Sequence, residues 1–375
     1  MNNVFNIIES ASPEATHSDN SQSHTGKAST IKLGIDVHQH FYVVVMQAGG
    51  STPKPPQRFS PPAFLHWAAK LRAQGHSIHA VYEACGFGFG LYRELAKLGV
   101  QCVVCCPQKL DERNKRMKTD GLDAKALCLK LDRYVAGNKD ALAIVRVPTE
   151  QEEQQRTIHR QREQLLTARK QLEAQGRSLL VNFGFEGTSH WWKPRLFARL
   201  QKELPAWIIE RLQVSQPVIA LLEEQIKALT TQLQVCAPPG VPKGIGALTS
   251  VVIEREIGDW NRFKNRRQVA SYTGMCPGEY SSGGSRVQGC VTKHGNPRLR
   301  SNLVELAWRL VRFQPGYRPV QKWEAVLSKG AQATGAARKK AIVAVARQLA
   351  VDLWRLRTGR MSVEQLGFNI QKEAN

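Results

Sequence analysis

From Ile31 onward, short β-branched runs alternate with segments of helical spacing, and this alternation restricts the fold more than any other feature of the chain. Ile31-Lys-Leu-Gly-Ile-Asp36 reads as a strand ending in an acid. Phe41-Tyr-Val-Val-Val-Met46 follows after a short turn, so the two predict a hairpin. Over residues 61–71, Phe64, Leu65, Trp67, Ala68 and Leu71 fall at helical spacing. Ile78-His-Ala-Val-Tyr82 is a further strand that closes on Glu83. A glycine-rich turn at 86–90, a helix over 91–98, a strand through 100–107 and a helix starting near Asp120 complete the pattern. Strands alternating with helices after an opening hairpin predict an α/β sheet covered on both faces.

The remainder reads as helical. Ile158, Leu165, Leu172 and Leu179 recur every seven residues, and Leu222, Ile226, Leu229 and Leu233 are spaced four, three and four. Two long helices follow, either an antiparallel coiled-coil arm or dimer seam, or ordinary amphipathic helices on a core. Between them Gly184, Gly187, Trp191, Trp192, Pro194, Pro205 and Pro217 break the pattern. Residues 239–248 form a glycine-rich hairpin ahead of an apolar helix that runs to Ile257, a helix-hairpin-helix-like segment able to seat a phosphate on backbone N–H groups. Further helices are expected from about Pro297 to Phe313 and around Arg338, Lys339, Lys340 and Arg347. The expected organisation is a disordered arm over 1–29, an α/β catalytic domain over 30–147, a helical region for oligomerisation over 148–236, a mainly α domain over 237–365 and a tail over 366–375.

Charge selects the partner. Lys and Arg number 53 against 31 Asp and Glu, a formal net charge of +22. A positive field of that size favours a polyanion. No window approaches the roughly 18 apolar residues of a spanning helix, so nucleic acid is favoured over a membrane. Lys243, Arg266, Arg267, Arg286, Lys293, Arg298 and Arg300 are the candidate DNA contacts. Of the eight cysteines, Cys102, Cys105 and Cys106 carry a CxxC spacing, but within an apolar run they read as buried strand residues. With no basic stretch leading into an apolar core at the N-terminus, and with reduced thiols, the expected compartment is the cytoplasm.

Two constellations carry chemistry. Asp36 and Glu83 end apolar strands, while Asp120 and Asp123, three apart, share a face of a helix start. Carboxylates converging at one sheet edge can bracket metals at the separation used in phosphoryl transfer, and oxygen ligands suit Mg²⁺ or Mn²⁺. Each acid read singly is equally a favourable charge in a first helical turn or a solvated group. The second constellation is Cys276-Pro-Gly-Glu-Tyr-Ser-Ser-Gly-Gly-Ser285 with Arg286 and Lys293 beyond it. A serine there, or Tyr280, could attack a phosphate; the same composition also describes a polar turn.

At these residues the chain resembles the DEDD-type insertion-sequence transposases, the bridge-RNA-guided recombinases. The resemblance is carried by Gly34-Ile-Asp-Val-His38, Val81-Tyr-Glu-Ala-Cys-Gly86, Lys118-Thr-Asp-Gly-Leu-Asp-Ala-Lys125, Arg133-Tyr-Val-Ala-Gly-Asn138, Arg160-Gln-Arg-Glu-Gln-Leu165 and Ala270-Ser-Tyr-Thr-Gly-Met-Cys-Pro277 with its Ser-Ser-Gly-Gly continuation. It implies a RuvC-like, RNase H-like N-terminal domain with Asp36, Glu83, Asp120 and Asp123 as catalytic metal ligands. It also implies a C-terminal transposase domain whose nucleophilic serine matches Ser282, chosen over Ser281 and Ser285 by motif position. A covalent phosphoserine link to DNA, a guide RNA that pairs with element ends and target, and a homodimer or homotetramer complete what the resemblance implies. Two other readings stay open at this stage: a metal-dependent junction resolvase or structure-specific endonuclease that uses water, and a non-enzymatic basic coiled-coil protein that binds nucleic acid.

Overall fold

The computed structural model describes residues 29–107, 119–238, 241–328 and 333–369, without the side chain of Arg286. The arm expected over 1–29 lies outside them except for Ser29, as do Pro239 and Gly240 of the expected glycine-rich hairpin and residues 370–375 of the tail. The chain divides into two compact units, Met1–Val147 and Pro148–Asn375.

The first unit is a five-stranded sheet flanked by helices. Its elements in order are β1 (Thr30–Val37), β2 (Tyr42–Ala48), β3 (Gln57–Phe59), α1 (Pro61–Ala73), β4 (Ser77–Glu83), α2 (Gly90–Lys97), β5 (Gln101–Cys105) and α3 (Asp120–Val135). The strand order is β3-β2-β1-β4-β5, with β1, β2 and β3 antiparallel and β1, β4 and β5 parallel. Strand alternation assigns the two faces. Ile31, Leu33 and Ile35 of β1 and Ile78, Ala80 and Tyr82 of β4 join Phe64 of α1 and Leu91 and Leu95 of α2 in one core. The opposite face packs against α3, through Val43, Val45, Ala124 and Cys128 and through Val81, Leu127 and Leu131. Both faces are covered, as the alternation predicts.

The same alternation disposes of the CxxC spacing. Cys102 packs with the α1–α2 core and Cys105 with the α3 core, so the two thiols point to opposite sides of the sheet. Burial pushes both thiols up to about 12, far from the thiolate that a metal or an electrophile needs.

The second unit is mostly helical. It contains α4 (Glu150–Asn182), α5 (Pro194–Glu203), α6 (Ala206–Gln234), α7 (Ala247–Ile257), α8 (Arg266–Thr273), β6 (Pro277–Ser282), β7 (Ser285–Val291), α9 (Pro297–Phe313), α10 (Arg318–Lys322), α11 (Glu324–Leu327), α12 (Gly335–Arg357) and α13 (Val363–Leu366). Thr149 and Glu152 form a capping box that starts α4. The helices α4 and α6 run antiparallel: Arg162 donates to Thr230 at 2.6 Å, and Arg169 lies 3.6 Å from Glu223.

Two expectations need correction here, and a third gains a structural role. The helix α6 runs through Pro217, which was expected to break it. Proline in a helix interior costs about 3 kcal/mol, which the burial of Ile208, Ile209, Leu212 and Ile219 offsets. Trp191 and Trp192 end the helical periodicity but form the centre of this core, Trp191 lying where any side chain on Gly176 would stand. The segment 276–285 is no loose turn. Its β6 and β7 form a hairpin around Gly283 and Gly284, whose φ angles of 53° and 87° suit a tight hairpin turn.

Among the described residues, no helix is long and apolar enough to cross a membrane.

Candidate active site

The site begins with a missing side chain. On the α3 face of β1, residues 32, 34 and 36 point toward the helix. Lys32 forms an ion pair with Asp132, and the Cys128 thiol donates to the Lys32 carbonyl at 3.6 Å. Gly34 has Ala124 and Cys128 directly above it, where a β-carbon would fall 2.2 Å from the Ala124 carbonyl oxygen. With α3 antiparallel to β1, each turn toward its N-terminus meets a residue nearer the strand's C-terminal end. Asp132 sits over Lys32, Ala124 over Gly34, and Asp120 arrives beside Asp36.

The carboxyl oxygens of Asp36 and Asp120 and a ring nitrogen of His38 lie within 4.8 Å of one another. His38, two residues beyond Asp36, shares its face of the chain. Its Nε2 is 3.3 Å from Oδ2 of Asp36 and 3.3 Å from Oδ2 of Asp120. It makes no aligned hydrogen bond with either and is closed off from solvent. The ring is held from behind by Phe41, stacked at 4.4 Å, and the Arg58 guanidinium caps the other face of Phe41 at 3.5 Å.

Burial raises the Asp36 carboxyl above its ordinary value; His38 pulls it down, and the negative charges of Asp120 and Asp123 push it up again. A half-buried carboxylate crowded by two others, beside an imidazole nitrogen that lacks a proper partner, is a site whose electrostatic cost a divalent cation would relieve. The donor set fits such an ion.

Glu83 is placed by register. The last aligned pair of β1 and β4 is Ile35 with Tyr82, so Asp36 and Glu83 follow side by side at the C-terminal ends of parallel strands. Val81 lies in the α3 core, which puts Glu83, two residues on, toward the same face. The four predicted acids thus share one end and one face of the sheet. The tight ligand group among the described residues nevertheless contains Asp36, His38 and Asp120, with Asp123 within electrostatic range of Asp36. His38 was not singled out from sequence, although its i+2 spacing from Asp36 carries the signal.

In the second unit Ser282 is the last residue of β6, exposed at the hairpin tip and paired with Ser285. The neighbouring Ser281 hydroxyl donates to Glu279 at 2.8 Å. Lys293 lies beyond Val291 at the hairpin base, so the lysine and the serine occupy opposite ends of the ribbon. Among the predicted DNA contacts, Arg266, Arg267, Lys243 and Lys293 are exposed. Arg298 is engaged with Glu163 at 2.6 Å, and Arg300 donates to the carbonyls of Thr273 and Lys293, both at 3.2 Å. Below the hairpin, Glu256 is 1% exposed and accepts from His159, Arg160 and Asn296 at 2.7–3.0 Å. Asn296 also caps α9, so this carboxylate ties α4, α7 and α9 together.

Residues 33–185 match a DEDD transposase model of the IS110 type, and residues 242–321 match the "Transposase IS116/IS110/IS902 family". The chain is 32% identical to "Putative transposase y4rJ" of Sinorhizobium fredii, over 73% of this chain and 76% of that one. It is 26% identical to the transposase for insertion sequence element IS1111A of Coxiella burnetii, over 62% of this chain and 65% of that one. It is also 26% identical to the transposase for insertion sequence element IS1328 of Yersinia enterocolitica, over 60% and 68%. The acid site of the first unit lies inside the DEDD match and the Ser282 hairpin inside the second. The chain belongs to the IS110/IS116 family of DEDD transposases, enzymes that cut and rejoin DNA and whose catalytic domain uses divalent metal.

Proposed function

We propose that this enzyme moves an insertion sequence by joining DNA to Ser282 at a phosphodiester held by the acid site of its first unit, whose sheet we read as RNase H-like. The convergence of Asp36 and Asp120 within 4.8 Å, with His38 between them, carries this reading. Asp36, Glu83, Asp120 and Asp123 are the side chains that would hold Mg²⁺ or Mn²⁺; His38 either joins them or orients Asp36. Such an ion, when bound, would neutralise the charge that develops on the phosphate.

In the covalent step the Ser282 Oγ loses its proton and forms a bond to phosphorus. The bond from phosphorus to one deoxyribose oxygen breaks, and that oxygen leaves as a hydroxyl, taking up a proton. Rejoining is the reverse, with a different hydroxyl attacking the phosphoserine. The exposure of Ser282 at a two-glycine hairpin tip supports its access to DNA. The exposed Arg266, Arg267, Lys243 and Lys293 supply backbone contacts, Arg286 belongs to the same proposed set, and Arg298 and Arg300 join them only where their present partners release them.

The family resemblance extends the proposal to a bridge RNA that chooses the sites by base pairing, to action on DNA in the cytoplasm, and to a homodimer or homotetramer. The oligomer has support in α6, where Trp207, Val214, Val218 and Leu221 leave an exposed apolar stripe.

The test is a denaturing gel of protein with end-labelled element DNA, the candidate RNA and Mg²⁺. An adduct in the wild type that vanishes in Ser282→Ala establishes the serine. Cleavage without an adduct, intact in Ser282→Ala and lost in Asp36→Asn, would make the chain a nuclease that uses water.

A further inference from the structure

Between α10 and α12 the second unit carries a cleft of about 320 Å³. Four basic side chains line it: Arg318 and Lys322, one turn apart on α10, and Arg347 and Arg355 on α12. The acid among the lining residues is Asp352, 3% exposed and fully engaged. It accepts from the Tyr317 hydroxyl at 2.6 Å, the Gln348 amide at 2.8 Å and the Arg355 guanidinium at 3.0 Å. Asp352 therefore neutralises Arg355 and leaves Arg318, Lys322 and Arg347 without a carboxylate partner among the described residues.

That surplus is concave rather than spread over a convex surface. Arg347 is half-buried while Arg318 and Lys322 are exposed, so the cleft presents positive charge that no described carboxylate balances. An anion in the cleft would supply the missing charge. The lining also includes apolar Trp323, half-buried and packed in part against the core, with Met361 and the buried Leu366. Cations and an indole lining one cleft match a phosphodiester next to an unstacked base, the combination by which single strands are held. A duplex keeps its bases stacked inside and has nothing to offer Trp323. The volume sits at the lower end of small-ligand sites, the size of one nucleotide.

We propose that the α10–α12 cleft is a subsite for one nucleotide of a single strand, with its phosphate on Arg318, Lys322 and Arg347 and its base against Trp323. The proposal rests on reading the chain as a nucleic-acid enzyme, but it uses none of the acids of the first unit, and neither Ser282 nor any of the candidate DNA contacts from Lys243 to Arg300. Most of the cleft also lies beyond residue 321, where the matched transposase segment ends. DNA and RNA both offer this chemistry, and the test separates them.

The full chain is titrated with DNA and RNA oligonucleotides of one sequence and with the corresponding duplex, and the Arg318→Gln, Arg347→Gln double variant is compared. One neutralised phosphate is worth about 0.7 in the slope of log K against log salt for a single strand, so losing that contact should flatten the slope by about 0.7 and weaken binding about 5-fold near 0.1 M salt. Photocrosslinking with 5-iodouracil in the strand should mark the peptide that contains Trp323. Whichever strand shows both effects is the occupant. Unchanged affinity and slope for both strands, or a loss confined to the duplex, would overturn the subsite while leaving the transposase reading intact. A wild-type chain that binds no nucleic acid would overturn both. If Arg347→Gln fails to fold, Lys322→Gln with Arg318→Gln, both at exposed positions, should give the same flattening.

Discussion

Gly34 lies directly beneath Ala124, so close that a β-carbon on the glycine would come within 2.2 Å of the alanine carbonyl oxygen. This contact sets the height of α3 above β1, and with it the approach of Asp120 to Asp36. Gly34→Ala must push the helix off the sheet. Overpacking of this kind costs about 1–3 kcal/mol, roughly 3–10 °C in the melting midpoint of a domain of this size. Strand cleavage should fall further than stability does, because the carboxylates separate. A variant that melts early yet cleaves at the wild-type rate would detach the helix height from catalysis.

Asp36→Asn should separate catalysis from stability in the opposite sense. A carboxyl held above its ordinary value stabilises the fold only while protonated. That contribution is present below pH 3.8 and is lost as pH rises through the raised value. At neutral pH the charged Asp36 is therefore a liability in the metal-free protein, and the neutral amide relieves it. Melting in EDTA should stay level or rise, while Mg²⁺ should stabilise the wild type and leave the variant unmoved. A clear drop in EDTA would make Asp36 a structural acid.

Glu256 behaves as the reverse case. Burial alone would raise its carboxyl, but hydrogen bonds from His159, Arg160 and Asn296 overcome burial and hold it far below the usual range. Its contribution is present above about pH 4.5 and is lost as pH falls toward the depressed value. Glu256→Gln breaks a buried charged network and should cost about 3–5 kcal/mol at pH 7. Denaturant midpoints of the two proteins should converge as pH is lowered from 4.5; a constant gap would show that charge is not what the site supplies.

The hairpin tip tests the serine without touching it. Gly283 and Gly284 both have positive φ, a conformation in which alanine is strained. The Gly283→Ala, Gly284→Ala pair should abolish the Ser282 adduct with little change in the overall melt, since the tip buries nothing. Asparagine followed by glycine suits the same turn geometry, so the single change Gly283→Asn should keep most of the adduct that the double variant loses. Full adduct in the double alanine protein would remove the hairpin from the reaction.

Arg266 and Arg267 should part company with Arg300. The first two are exposed in the first turn of α8, and their replacement by Gln should weaken DNA binding and flatten its salt dependence by about 0.9 per lost contact. Arg300 holds two carbonyls at the hairpin base, so Arg300→Ala should also lower the melting midpoint. Equal melts for all three variants would show those carbonyl contacts to be dispensable.

The sequence by itself determined the alternation of β1 with its helices, because side-chain periodicity is a local property: Ile31, Leu33 and Ile35 had to face one way and Lys32, Gly34 and Asp36 the other. It also marked the four acids, since each ends a strand or starts a helix. Other features depended on distant partners. The two-residue step from Asp36 to His38 is written in the chain, but that Nε2 stands between two carboxylates follows from α3 descending onto Gly34. Pro217 reads locally as a break, and only the packing of α6 on α4 overrides it. The Ser282 segment has the composition of a turn, and pairing across Gly283 and Gly284 made it a strand end. The cleft of Arg318, Lys322 and Arg347 has no periodic signature at all, because its charges belong to separate helices that only the tertiary fold brings face to face.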